Sequence, residues 1–360
     1  MNYTCVDAFS GAGGLSLGLQ RVGFNILLAF DTDPKCVETQ RLNPAYFHHP
    51  VLELGIEDML EGKLFTKTGV KAGELFMLAG GPPCQGFSVQ RMGSDNDDRN
   101  NLVIKFVELI CETLPYYFLI ENVPGIGGKR GRKILHDALN QATKAGYLTY
   151  CQVLDAQDYG VSQRRRRVFV FGERKPCELI EFAFPLSFTP SDKRKTVRET
   201  IGHLPPPPDD GREHKDIRHH RKDKLSSLNL KRIAALSPGQ GREHLPKHLL
   251  ADCHRRSADA IGHRNVYGRM SWDEVAPTIT ARFDSFTRGL FGHPEQLRSI
   301  TLREGALLQS FPKDFIFAGN KVEIARQIGN AVPPLLAEAI GKRILEHHEA
   351  KIHQGIKYEL

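Results

Sequence analysis

Gly80-Gly81-Pro82-Pro83-Cys84-Gln85-Gly86-Phe87-Ser88 is the stretch on which the reading of this chain turns. The apolar run Leu75-Phe76-Met77-Leu78-Ala79 leads into it and predicts a buried strand. Two glycines then let the backbone turn, and two prolines fix φ and stiffen the exit. The outcome is a single thiol on a rigid loop at a strand end, the place where open α/β sheets bind ligands. A free thiol has a pKa of about 8.5, so little of it is thiolate at neutral pH unless the site helps. Taken alone, the segment also fits a small hydrophobe packed in a tight turn.

Working towards the N-terminus, Tyr3 to Phe9 reads as a short strand. Ser10-Gly11-Ala12-Gly13-Gly14 follows, and Leu15-Ser16-Leu17-Gly18-Leu19 begins a helical pattern. Strand, glycine turn and helix form a cofactor-binding opening, because missing side chains let a ligand approach backbone at a helix N-terminus. Glycine turns also serve plain packing. A second strand, Asn25 to Phe30, ends at Asp31-Thr32-Asp33. An acid about 20 residues past the glycines is placed to accept hydrogen bonds from ribose hydroxyls. Asp33 ahead of Pro34 equally predicts a helix N-cap. The lack of a pyrophosphate-type GxGxxG favours a nucleoside cofactor over a dinucleotide.

Working towards the C-terminus, the polar segment from Arg91 to Asn101 predicts a surface loop. Leu102 to Ile110 has helical apolar spacing, and Tyr116 to Ile120 predicts another buried strand. Glu121-Asn122-Val123-Pro124 closes that strand, so the Glu121 carboxylate is expected at the sheet edge that carries Cys84. Burial would raise its pKa and suit it to proton donation; a turn-capping Glu is the plainer reading. Arg132 to Ala145 predicts an amphipathic helix closed by Gly146. Ser162-Gln163-Arg164-Arg165-Arg166-Arg167 then feeds a strand at Val168 to Gly172. Alternation puts Gln163, Arg165 and Arg167 on one side and Arg164 and Arg166 on the other. A solvated basic face would look the same.

The 360 residues are 40% hydrophobic and 25% charged, an ordinary globular balance. No apolar run reaches the ~18 residues of a membrane span, and Met1 to Val6 shows no signal-peptide pattern. Seven cysteines, scattered and without a CxxC pair, predict reduced thiols rather than a disulfide framework or a zinc site. Net charge is +7, which permits a polyanionic partner. Arg212 to Arg256 holds about a dozen Lys and Arg and about six His against about five acids, with little apolar periodicity. It fits a DNA-facing surface or a disordered basic insert. Trp272 to Thr280 returns to ordered-looking chain, Ala306 to Pro312 predicts a short capped helix, and Leu335 to Glu349 a C-terminal one.

These pieces, in this order and over nearly the whole length, closely resemble the DNA (cytosine-5)-methyltransferases of bacterial restriction–modification systems. The carriers are Asp7 to Gly14, Asp31, Gly81 to Ser88, Glu121-Asn122-Val123, Gln163-Arg165-Arg167, Arg303-Glu304 and Gly329-Asn330-Ala331-Val332. The resemblance implies an α/β fold: a doubly wound S-adenosylmethionine-dependent methyltransferase sheet, closed by the C-terminal helix, with a smaller basic target-recognition domain. It implies domains at 1–187 (catalytic and cofactor-binding), 188–320 (target recognition) and 321–360 (returning to the catalytic domain). Implied catalytic residues are Cys84, Glu121 and Arg165. Implied S-adenosyl-L-methionine contacts are Phe9, Gly11, Gly13, Gly14, Leu15, Asp31, Pro82, Asn330 and Val332. DNA contacts would come from Gln85, Ser88, Arg164, Arg167 and Arg303, and no metal is called for.

The implied partner is double-stranded DNA, with a restriction endonuclease paired in function but not in contact. A cytoplasmic, DNA-associated monomer with no membrane attachment is expected. Two positions depart from the family pattern: Gly55 stands where an adenine-contacting Asp is frequent, and Thr32 where a bulky side chain often covers the adenine. A tRNA-cytosine branch is disfavoured because Cys84 is followed by Gln85-Gly86 rather than Phe-Thr. A DNA-binding protein on an inactive scaffold is disfavoured by the intact Cys84, Glu121 and Arg165. A nicotinamide oxidoreductase has no use for the Pro-Pro-Cys loop.

Overall fold

The computed structural model describes residues 2–83, 101–176, 180–252 and 266–356. Cys84, Gln85, Ser88 and residues 91–100 of the expected polar loop lie outside them.

Strands and helices alternate through the first half of the chain. In order these are β1 (Thr4–Ala8), α1 (Gly14–Arg21), β2 (Asn25–Asp31), α2 (Pro34–Arg41), β3 (Val51–Glu53), α3 (Lys63–Thr68) and β4 (Met77–Gly80). They continue with α4 (Asn101–Thr113), β5 (Tyr117–Asn122), α5 (Lys129–Lys144), β6 (Tyr147–Asp155) and β7 (Arg166–Arg174). The strand order is β3-β2-β1-β4-β5-β7-β6. β1 pairs in parallel with both β2 and β4, and β5 continues the parallel set, while β7 runs antiparallel between β5 and β6. Chain order therefore reverses at β1 and β4. That is a topological switch point, with its crevice at the C-terminal ends of the parallel strands.

Continuous apolar runs explain the buried strands. β4 and β5 are buried at every position, as strands covered on both faces must be. Phe106, Val107 and Ile110 of α4 pack with Leu78, Phe118 and Ile120 of the sheet. Removing each such side chain from water contributes roughly 1.5–3 kcal/mol.

The second half adds α6 (Val197–Ile201), a two-stranded ribbon of β8 (Glu213–His214) and β9 (Ile217–Arg221), and α7 (Ser227–Ala234). It ends with α8 (Leu302–Leu308), α9 (Lys321–Asn330) and α10 (Pro334–His353). α8 begins four residues before the expected Ala306. Thr301 accepts from the Glu304 amide and the Glu304 carboxylate accepts from the Thr301 amide, a capping box that sets the start.

The chain divides into two compact units: 1–155 with 166–187 and 332–360, and 156–165 with 188–331. α9 lies in the second unit, and the first unit resumes at Val332. Within the second unit, the basic stretch supplies Ile233, Leu236, Leu245 and Leu249 to a small apolar cluster completed by Val266, Tyr267 and Phe286. No helix among the described residues is long and apolar enough to cross a membrane.

α10 is held in the first unit by close packing and by a buried ion pair. A Cβ added at Gly18 of α1 would lie 2.3 Å from the Pro334 carbonyl oxygen, so only glycine admits this approach. Glu173 of β7, fully buried, pairs with Lys351 and accepts from His347 Nε2 at 3.2 Å. The Tyr117 hydroxyl lies 2.9 Å from His348 Nδ1 in the same layer. Removing one partner of a buried pair is costly because the other charge stays desolvated. Lys351→Met should therefore lower unfolding stability by about 3–5 kcal/mol in urea titrations, with much of the loss recovered in Lys351→Met/Glu173→Leu. An unchanged midpoint in the single variant would refute this role for the pair.

Candidate active site

Four parallel strands deliver their C-terminal residues to one edge. Register pairs Ala8 with Phe30 and with Gly80, and Gly80 with Ile120. Phe9, Asp31, Gly81 and Glu121 therefore leave the sheet on the same side, one position further along their strands.

After β1 the backbone turns through Phe9, whose φ is 55°, and Gly11, whose φ is 54°. The strained Phe9 is supported by Phe30 and Phe106, with ring centroids 6.3 and 6.0 Å away. Gly13, at φ 82°, precedes α1, which opens with Gly14 and the buried Leu15. The Gly11 amide donates to Asp31 Oδ2 and the Asp33 amide to Asp31 Oδ1, both at 2.8 Å. Asp33 also accepts from the Lys35 amide with Pro34 at the first helical position, so the capping reading of Asp33 holds. Beneath the loop, Asp7 accepts from the Ser16 amide and hydroxyl. Burial pushes its carboxyl up to about 7 against those hydrogen bonds. A Cβ added at Gly11 would meet nothing within 4 Å, so the loop presents open backbone. At the end of β3, the Gly55 amide is capped by Asp58, and an added Cβ there would lie 3.6 Å from Thr32 Cγ2. The two departures from the family pattern are thus neighbours.

Past β4, the Pro82 carbonyl accepts from Asn122 Nδ2 at 2.9 Å, which ties the stem of the Cys84 loop to the end of β5. A Cβ at Gly81 would stand 3.1 Å from Glu121 Oε2. Glu121 is 8% exposed, and its Oε1 lies 2.8 Å from Arg167 Nε. Strand geometry explains the pair. Glu121 is opposite Phe169, and Arg167, two residues earlier, shares that face of β7. Burial lowers the Arg167 pKa while Glu121 raises it.

The Gln163–Arg167 alternation appears as expected. Gln163 and Arg165 are fully buried, Arg167 is half-buried, and Arg164 and Arg166 are exposed. Arg165, expected in the chemistry with Glu121, has its own set of hydrogen-bond partners. β7 starts at Arg166, and the boundary between the compact units falls between Arg165 and Arg166. The Arg165 guanidinium donates to the carbonyls of Ile279 at 3.0 Å, Gly329 at 2.8 Å and Ala331 at 2.9 Å. Gln163 accepts from the Ile279 amide and donates to Gln309, which donates in turn to the Ile328 and Ala331 carbonyls. These side chains hold the end of α9, where Asn330 is exposed and Val332 buried. Arg303, expected at DNA, is 1% exposed and donates to the carbonyls of Arg218, Pro312 and Phe315. Arg164 alone of the expected basic contacts keeps an exposed side chain. Sequence reasoning missed the Glu121–Arg167 pairing although the β5–β7 register encodes it, because that register is long-range. Among the described residues no cluster of His, Cys, Asp and Glu could hold a metal.

Residues 3–346 match the model of the C-5 cytosine-specific DNA methylase family. The chain is 35% identical to the type II methylase M.HgiDII of Herpetosiphon aurantiacus, covering 94% of each chain. It is 34% identical to the type II methyltransferase M1.HphI of Haemophilus parahaemolyticus, over 96% of this chain and 87% of the relative. Among solved structures, a candidate DNA modification methyltransferase encoded within an E. coli prophage superposes with a TM-score of 0.71 at 26% identity, over 97% of this chain and 100% of that one. With sheet order, motif order and near-full-length relatives in agreement, the chain belongs to the C-5 cytosine-specific DNA methylase family and is a DNA (cytosine-5)-methyltransferase.

Proposed function

We propose that the enzyme methylates a cytosine flipped out of a specific duplex sequence, using S-adenosyl-L-methionine and a covalent Cys84 adduct at carbon 6. The observation that carries this reading is the meeting of Glu121, Arg167 and the stem of the Cys84 loop at the edge that also bears the glycine turn. The open backbone at Gly11, bounded by Phe9, Gly13, Gly14 and Leu15, fits a nucleoside cofactor, with Asp31 as the ribose acceptor. Pro82, Asn330 and Val332 are assigned to the same ligand from their motifs. S-adenosyl-L-methionine, when bound, supplies an electrophilic methyl group on a sulfonium sulfur.

Cytosine carbon 5 is a poor nucleophile until the ring is activated. Attack by the Cys84 thiolate at carbon 6 breaks the ring's conjugation and makes carbon 5 enamine-like, able to accept the methyl. Glu121 donates to or holds ring nitrogen 3 as charge develops there. Arg167 keeps Glu121 oriented and adds positive charge beside the base, the role first expected of Arg165. Loss of the carbon 5 proton and departure of the Cys84 sulfur restore aromaticity. Extruding the base costs a few kcal/mol, which DNA contacts from Gln85, Ser88, Arg164 and the 188–320 region offset. Host-DNA protection alongside a functionally paired endonuclease, by a cytoplasmic monomer, completes the reading.

Cys84→Ser should abolish transfer of labelled methyl groups to DNA, and a duplex with 5-fluorocytosine at the target should trap a denaturant-resistant adduct with the wild-type enzyme. Retained activity, or no adduct, would refute covalent attack. Arg167→Met should lower kcat about 10²–10³-fold, whereas Arg165→Met should act chiefly on the melting temperature. The reverse pattern would restore Arg165 to the chemistry. Exchanging residues 190–290 for those of a relative should change the methylated sequence read by bisulfite sequencing; an unchanged sequence would remove target recognition from this region.

A further inference from the structure

Gly11 is gripped on both sides by one β–α unit. Asp31, at the end of β2, accepts the Gly11 N–H through Oδ2 at 2.8 Å. Gln40, one residue before the end of the following α2, donates through Nε2 to the Gly11 carbonyl and to Ser10 Oγ, both at 2.8 Å. A carbonyl can only accept, so the Gln40 amide orientation is fixed by its partner. Gln40 is fully buried, and its Oε1 meets no donor among the described residues. The side chain is thus held by what its nitrogen does for the loop. The contact is close: a Cβ added at Gly13 would lie 3.1 Å from Gln40 Cδ and 2.5 Å from Phe47 Cζ. The glycine turn therefore rests directly on the Gln40 amide and the Phe47 ring.

We propose that Gln40 is a positioning residue for cofactor binding, fixing the Ser10–Gly13 backbone in the conformation that receives S-adenosylmethionine. The inference rests on the assignment of that cofactor to the Phe9–Leu15 loop. Gln40 touches no reacting atom. Its loss leaves Gly11, with its wide conformational freedom, held on the amide side only. The consequence is a less ordered loop before the cofactor arrives, and so weaker binding with unchanged chemistry once it is bound.

The test combines amide hydrogen exchange on the cofactor-free protein with calorimetric titration of S-adenosylmethionine. In Gln40→Leu the amides of residues 11–14 should exchange at least tenfold faster than in wild type. The Kd and KM for the cofactor should rise about tenfold, with kcat at saturation within twofold and the melting temperature nearly unchanged. Ser10→Ala, a smaller change, should raise Kd severalfold. Gln40→Glu, which sets a carboxylate against the Gly11 carbonyl, should weaken binding more than Gln40→Leu does. Wild-type binding that Gln40→Leu and Ser10→Ala both match, with unaltered exchange, would overturn the inference alone. A fall in kcat at unchanged Kd would do the same. Failure of the wild-type protein to bind S-adenosylmethionine would overturn the cofactor assignment and the inference with it.

Discussion

Parallel pairing of β1 with both β2 and β4 is the constraint on which the first unit depends. Parallel neighbours send their C-terminal ends to one edge, so every loop that follows a strand starts from the same side. Once Ala8 is in register with Phe30 and Gly80, the glycine turn, the Asp31 carboxylate and the stem of the Cys84 loop leave adjacent strands. β5 adds Glu121 by the same rule, and antiparallel β7 brings Arg167 back to that edge from the opposite direction. The elements proposed for the cofactor and for catalysis are thus neighbours through backbone hydrogen bonding alone. Side-chain contacts then refine what the sheet has arranged.

How much could be read in advance follows from the range of each interaction. The buried strands at Asn25 and Met77, the glycine turn and the Asp33 cap are local, written in consecutive residues, and each stands where the pattern puts it. The partner of Glu121 is not local. Alternation gives the side of the chain on which Arg165 and Arg167 lie, but only the β5–β7 register says that Arg167 reaches the carboxylate. Two residues apart in sequence, the two arginines belong to different compact units. Gln40 was invisible for the same reason: nothing in α2 announces that one amide supports a turn some thirty residues upstream. The start of α8 is legible in the Thr301–Glu304 capping-box spacing, which precedes the apolar run at Ala306.

The second unit solves a different problem. Its described residues form a single two-stranded ribbon and short helices, so much of that backbone has no ladder in which to spend its carbonyls. Buried arginines take that part. Arg232 donates to the Leu249 carbonyl, Arg269 to those of Ile233, His293, Pro294 and Gln296, and Arg303 to three more. Arg165 does the same for the end of α9. A guanidinium carries five N–H donors in a fixed fork, so one side chain can gather several loops that share no strand. The small cluster around Ile233 and Phe286 then needs to supply only part of the cohesion.

These interior arginines alter what the chain's charge means for its encounter with a polyanion. Affinity for duplex DNA falls with salt in proportion to the number of phosphates neutralised, because each neutralised phosphate releases condensed counterions. Only cations at the surface take part. Arg165, Arg232, Arg269, Arg298 and Arg303 are each 7% exposed or less, and their hydrogens go to carbonyls or, for Arg298, also to Glu304. They count towards the +7 of the sequence but contribute nothing to counterion release. The ionic-strength sensitivity expected of this enzyme on DNA would accordingly come from fewer cations than its composition suggests, since only exposed ones, such as Arg164 and Arg166, are open to phosphates.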